Sequence, residues 1–127
     1  MFEGRYIFSQ IVDFVPRRSF DACVEKYKGN SRIKRLSCRD QFLSLVFGQL
    51  TGLQSLRGIL LCLNAHEDQL YHLGFRTKSF TLSTISRANQ FRDYRIYHEF
   101  TECLIHRARK LYTDDNNFCI DNFFLKK

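Results

Sequence analysis

The stretch from Ser37 to Asn64, SCRDQFLSLVFGQLTGLQSLRGILLCLN, constrains the fold more than any other part of the chain. Phe42, Leu43, Val46, Phe47 and Leu50 recur at helical spacing and form one apolar face. Ser37 followed by Asp40 has the form of a variant capping box: the hydroxyl accepts an orphan N–H and the carboxylate favours the positive helix end. Thr51-Gly52 interrupts the pattern, and Gly52 can take the left-handed conformation that ends helices. A second helix follows, capped by Ser55, with Leu56, Ile59, Leu60 and Leu63 on one face. Two apolar helices joined by so short a turn must pack on each other or on a third element.

The flanking segments read as shorter helices. Tyr6 to Val15 places Ile7, Ile11 and Phe14 on one side and is stopped by Pro16. Ser19 caps a helix to Tyr27 with Phe20, Cys23, Val24 and Tyr27 inward, and Lys28 to Leu36 is a basic loop. His66 to Leu73 is a brief helix ended by Gly74, and Phe75 to Phe80 is a connector. Thr81 or Ser83 caps a helix running to about Gln90. Asp93 to Tyr112 is the longest helix, with Tyr97, Phe100, Leu104, Ala108 and Leu111 in register. With one Pro and six Gly in 127 residues, the expected class is mostly α, a small multi-helical domain containing a helix-turn-helix-like segment. Residues 1–117 form the helical domain and 118–127 a tail.

No apolar run approaches membrane-spanning length, and the N-terminus lacks a signal-peptide apolar block, so a cytoplasmic protein is expected. The five cysteines are scattered without a C-x-x-C pair, which speaks against a zinc ribbon or a disulfide framework. Charge is more informative. The chain carries a net +7, and the excess sits in two blocks. Arg17 to Arg39 holds eight basic and two acidic residues; Arg76 to Arg95 holds five basic and one acidic. Such clustering suits a polyanionic partner.

Three short helices between Ser55 and Gln90 follow the order of a helix-turn-helix module, whose last helix enters the major groove. In the segment TLSTISRANQFR, Leu82, Ile85 and Ala88 supply the packed side, while Ser83, Thr84, Arg87 and Gln90 offer groups suited to base edges. Arg76, Lys78, Arg92 and Arg95 flank it as expected phosphate contacts, with Arg17, Arg18, Lys34 and Arg35 as secondary DNA contacts. Double-stranded DNA is therefore the expected partner.

Catalysis finds little support. G-x-S-x-G, H-E-x-x-H and phosphate-binding Gly loops are absent, and no metal site is expected from the lone Asp114-Asp115 turn. His66 and His72 sit among Glu67 and Asp68, and His98 and His106 among Glu99, Glu102 and Arg107, as on solvated, ion-paired faces.

The segments IFSQIVDFVPRRSFDACVEKYKGN, RDQFLSLVFGQLTGLQSLRGILLCLN, LYHLGF and STISRANQFRDYRIYHEF together resemble the N-terminal domain of bacterial transposases of the insertion-sequence-four type. The resemblance runs from about Ile7 to Asp121. Its most specific pieces are Asp40–Leu43, Gln49–Ile59, Leu70–Phe75, Ser83-Thr84, Ala88-Asn89, Arg92-Asp93 and Arg95-Ile96-Tyr97. It implies recognition of terminal inverted repeats at element ends. Such proteins continue into an RNase H-like domain whose three acidic residues hold two divalent metals, and Asp121 in Cys119-Ile120-Asp121 resembles the first of them. One carboxylate cannot hold a two-metal site, so the expectation is a non-enzymatic, truncated domain that needs no cofactor. The alternatives are a domain that pairs with full-length transposase and inhibits it, or a decayed fragment.

Overall fold

The structure, a computed structural model, describes residues 7–31, 35–77 and 79–111. Lys34, Lys78 and the segment 112–127, with Asp114, Asp115, Cys119 and Asp121, lie outside the described residues. Among the described residues six α-helices occupy Ile7–Val12 (α1), Arg17–Lys26 (α2), Cys38–Leu50 (α3), Leu56–Ala65 (α4), Leu82–Phe91 (α5) and Arg95–Leu111 (α6). A 3-10 helix at Glu67–Leu73 follows α4. Among the described residues there is no strand, so the chain is a small multi-helical domain.

Local chemistry accounts for the helix boundaries. The Ser37 hydroxyl accepts the Asp40 N–H at 3.1 Å, Ser55 that of Gly58 at 3.0 Å, and Thr81 that of Thr84 at 3.3 Å. Gly52 at φ 73° and Gly74 at φ 97° take the left-handed backbone that lets the chain leave α3 and the 3-10 helix. The second helix differs from expectation: it begins at Arg17, with Pro16 at the cap position and no side-chain cap from Ser19. Proline suits this place because its fixed φ is already helix-compatible and it gives up no needed N–H.

Helix α3 is the axis. On one side an aliphatic half-core gathers Leu43, Ile59, Leu63, Leu70, Leu73, Phe75, Phe80 and Ile85. On the other, Phe20, Val24, Cys38, Ile96 and Phe100 form an aromatic half-core with Phe42, Tyr97 and Leu104 packed against it. Phe42 meets both, and its ring stands edge-on to Phe100 at 5.4 Å. A Cβ on Gly48 would run into Ile59, so α3 and α4 approach closely there.

Two apolar faces differ from the periodicity. Helix α1 turns Phe8 and Val12 inward and leaves Ile7, Ile11 and Phe14, the expected inner face, exposed. Phe8 docks edge-on to Phe47 at 5.4 Å, α1 lies on the 3-10 helix, and Phe14 falls beyond the helix end. On α6, Ile96 and Phe100 are the buried pair, while Leu111 projects from the last turn into solvent. Likewise Leu50 is exposed at the end of α3.

The helix-turn-helix expectation is met only in element order. The middle element is a 3-10 helix, and residues 74–81 separate it from α5, longer than the tight turn of that motif. No helix among the described residues is long and apolar enough to cross a membrane.

Candidate nucleic-acid interface

A buried polar network sets the position of α5. Asp40, Gln41 and Ser44 are all buried on α3. The Gln41 amide donates to Asn89 Oδ1 at 2.6 Å, and its Oε1 accepts from Arg92 at 2.8 Å and from the Tyr97 hydroxyl at 2.6 Å. Arg92 also donates to the carbonyls of Ser37 and Leu36. Burial raises the Tyr97 phenol well above its ordinary range, with Cys38 adding and Arg92 opposing, so the hydroxyl keeps the proton it donates. Asp40 accepts the backbone N–H groups of Arg76 and Thr77 at 3.1 and 3.3 Å. Every member therefore has a partner, as a buried network requires.

Helix α5, so anchored, forms one wall of a groove of about 730 Å³. Ser83, Thr84, Arg87 and Phe91 line that wall, and Tyr27, Lys28, Ser31, Arg35 and Leu36 line the other. Lys28 and Arg35 come from the first basic block and Arg87 from the second, so one groove gathers both. Its one acid, Asp93, is bound by Arg95 at 2.6 Å, and that guanidinium holds the carboxyl below its ordinary range. Arg95 in turn lies over the Tyr27 ring at 4.6 Å. The result is a basic cleft with aromatic groups at its edge.

The residues expected from the sequence divide accordingly. Arg87 is exposed and lines the groove; Ser83 and Thr84 line it too, with their hydroxyls 3.0 and 2.9 Å from that of Thr81. Gln90 is exposed but outside the groove lining. Arg92 was expected on phosphates, yet its guanidinium is committed to three acceptors of its own chain. Arg95 is half spoken for by Asp93. Arg35 belongs to the groove, whereas Arg17 and Arg76 line a separate cavity and Arg18 is exposed on α2.

Phe91 and Tyr27 were not among the expected contacts. Steps of three along Leu82, Ile85 and Ala88 drift by about 60° each, so Phe91 has rotated to the far side and is exposed. That drift was the available signal. Among the described residues no group of three His, Cys, Asp or Glu side chains could hold a metal. His98 pairs with Glu102 at 3.3 Å on an exposed face, as its spacing suggested.

Residues 3–76 match a domain family described only as a domain of unknown function, DUF4372. The chain belongs to that family. No curated protein and no solved structure matches it. The DUF4372 match spans α1 to α4 and the 3-10 helix and ends at Arg76, so the Lys28 and Arg35 wall of the groove lies inside it and the α5 wall beyond it.

Proposed function

We propose that this DUF4372 protein binds double-stranded DNA in the groove between α5 and the wall of Lys28, Ser31 and Arg35, as the end-recognition domain of an insertion-sequence-four-type transposase. The domain performs no strand chemistry itself. The observation that carries this reading is the convergence of Lys28, Arg35 and Arg87, from two separate basic blocks, on one cleft. Arg87, exposed among hydroxyl groups on α5, is the base-reading side chain, able to bridge guanine O6 and N7. Lys28 and Arg35 hold phosphates, and Arg92 serves by fixing α5.

Gel-shift titration with terminal inverted repeats and with scrambled duplex tests this. Arg87→Ala should weaken binding to the repeat by about 1–3 kcal/mol and to scrambled DNA much less. Equal losses on both targets would reduce Arg87 to a phosphate contact, and no binding by the intact protein would remove the reading.

A further inference from the structure

The loop that borders the DNA groove also borders a smaller cavity of about 240 Å³. Gly29, Ser31, Arg35 and Leu36 line the groove, while Asn30 and Ser37 line the cavity. Three arginines line that cavity: Arg17 from the start of α2, Arg39 from the first turn of α3, and Arg76 from the connector. Arg39 Nη1 is inaccessible to solvent and has no hydrogen-bond partner. A buried guanidinium N–H left unpaired is costly, and native structures rarely keep one without a use.

The neighbouring carboxylates do not relieve it. Asp40 already accepts the N–H groups of Arg76 and Thr77, and Asp21 lies 3.9 Å from Arg17. Burial depresses the Arg39 guanidinium below its ordinary value, and Arg17 and Arg76 add to this against Asp21 and Asp40. The cavity lining carries three positive charges, with Asp21 and Glu25 as its acids. That leaves one charge in excess, which matches a monoanion better than a dianion. Forked guanidinium donors suit tetrahedral oxyanions.

We infer that Arg17, Arg39 and Arg76 form a site for one phosphodiester of the nucleic-acid backbone, separate from the groove. The inference rests on the DNA reading above and adds a second point of attachment to it. Arg17 and Arg76 are exposed at this cavity and can meet the phosphate oxygens directly, while the shielded Arg39 Nη1 gains its acceptor by a shift of the side chain toward the bound anion.

The test is the salt dependence of binding to a random-sequence duplex, measured for the intact protein and for Arg39→Gln, Arg17→Gln and Arg57→Gln. Arg17 is exposed and its variant should fold normally, which melting curves will show even if Arg39→Gln is destabilised. The expected result is a slope of log affinity on log salt smaller in magnitude by about one for Arg39→Gln and Arg17→Gln, and unchanged for Arg57→Gln on α4. An unchanged slope in folded Arg17→Gln, with Arg87→Ala still impaired, would overturn this site and leave the groove reading standing. Absence of duplex binding by the intact protein would instead remove the groove reading and the phosphodiester assignment with it.

Discussion

The two half-cores on either side of α3 are built in different ways. The aliphatic side draws Leu36 through Ala88 together from successive elements, with only Phe8 and Val12 arriving from α1. The aromatic side closes the chain on itself, setting Phe20 and Val24 of α2 against Ile96 and Phe100 of α6. Its surface staple is equally remote: Lys26 and the Tyr27 hydroxyl both engage Glu99. Contacts between neighbouring elements close short loops, whereas joining α2 to α6 closes a long one, whose entropy must be overcome before its contacts help. The aliphatic half is thus the local scaffold and the aromatic half the clasp. The basic groove lies along their seam, with α5 on one wall and Tyr27 and Lys28 on the other.

Truncations in each half break the comparison most sharply. Phe100→Ala in the clasp should cost about 3–5 kcal/mol and Leu63→Ala in the scaffold about 2–5 kcal/mol, read from denaturant melts. Both side chains are buried to 1% exposure or less, so the informative difference is kinetic. Leu63→Ala should mainly slow folding and Phe100→Ala mainly speed unfolding. The reverse partition would make α2 and α6 the nucleus.

A smaller effect tests the tie between the halves. Arg92→Met removes the donor shared by Gln41 and the carbonyls of Leu36 and Ser37, and should cost about 3 kcal/mol. It should also weaken DNA binding beyond what lost charge explains, because α5 loses its anchor. A variant of native stability would show that Gln41, Asn89 and Tyr97 suffice.

The smallest effect lies on the surface of the clasp. The Glu99 carboxyl is held below its ordinary range, chiefly by the Tyr27 hydroxyl and then by Lys26. Its stabilising contribution is therefore complete above the pKa of an unfolded glutamate and is lost as pH falls through the folded value. Melting temperatures of the native protein and Glu99→Gln should converge in acid and separate slightly at neutral pH. Parallel curves at all pH values would show the contact adds nothing.

These contrasts also explain what the residues disclosed unaided. Helix α4 was legible because its cap, its apolar spacing and its burial all point the same way: Ser55 caps it, and Ile59, Leu60 and Leu63 are buried. Helix α3 was half legible. Asp40, Gln41 and Ser44 are polar, and polarity along a helix ordinarily marks the solvent side. They are buried because the helix is packed on both flanks; the Gln41 partners Asn89, Arg92 and Tyr97 stand 48, 51 and 56 residues away, and the Asp40 partners Arg76 and Thr77 36 and 37. Asp40-Gln41, Asn89, Arg92 and Tyr97 are among the pieces that carry the transposase resemblance, and in the folded chain they hold helices together. For the groove, charge clustering was visible along the chain, but only folding brings Lys28 and Arg35 opposite Arg87. Arg92 counts as one more basic residue in the block until its inward geometry is known.

The carboxylate of Asp40 leaves a mark that hydrogen exchange can read. Arg76 and Thr77 lie in a connector with no helix or sheet ladder, where amides ordinarily trade protons with water freely. Here both are bound by one buried carboxylate on the central helix, so releasing them requires that helix to move. Their amides should exchange as slowly as those in the interior of α3, protected by a side chain instead of a neighbouring backbone. In Asp40→Asn one acceptor oxygen is lost, and the protection of this pair should fall before that of any helix. Fast exchange of both amides in the native protein would mean that the connector opens independently, and the route from the 3-10 helix to α5 would then be a hinge.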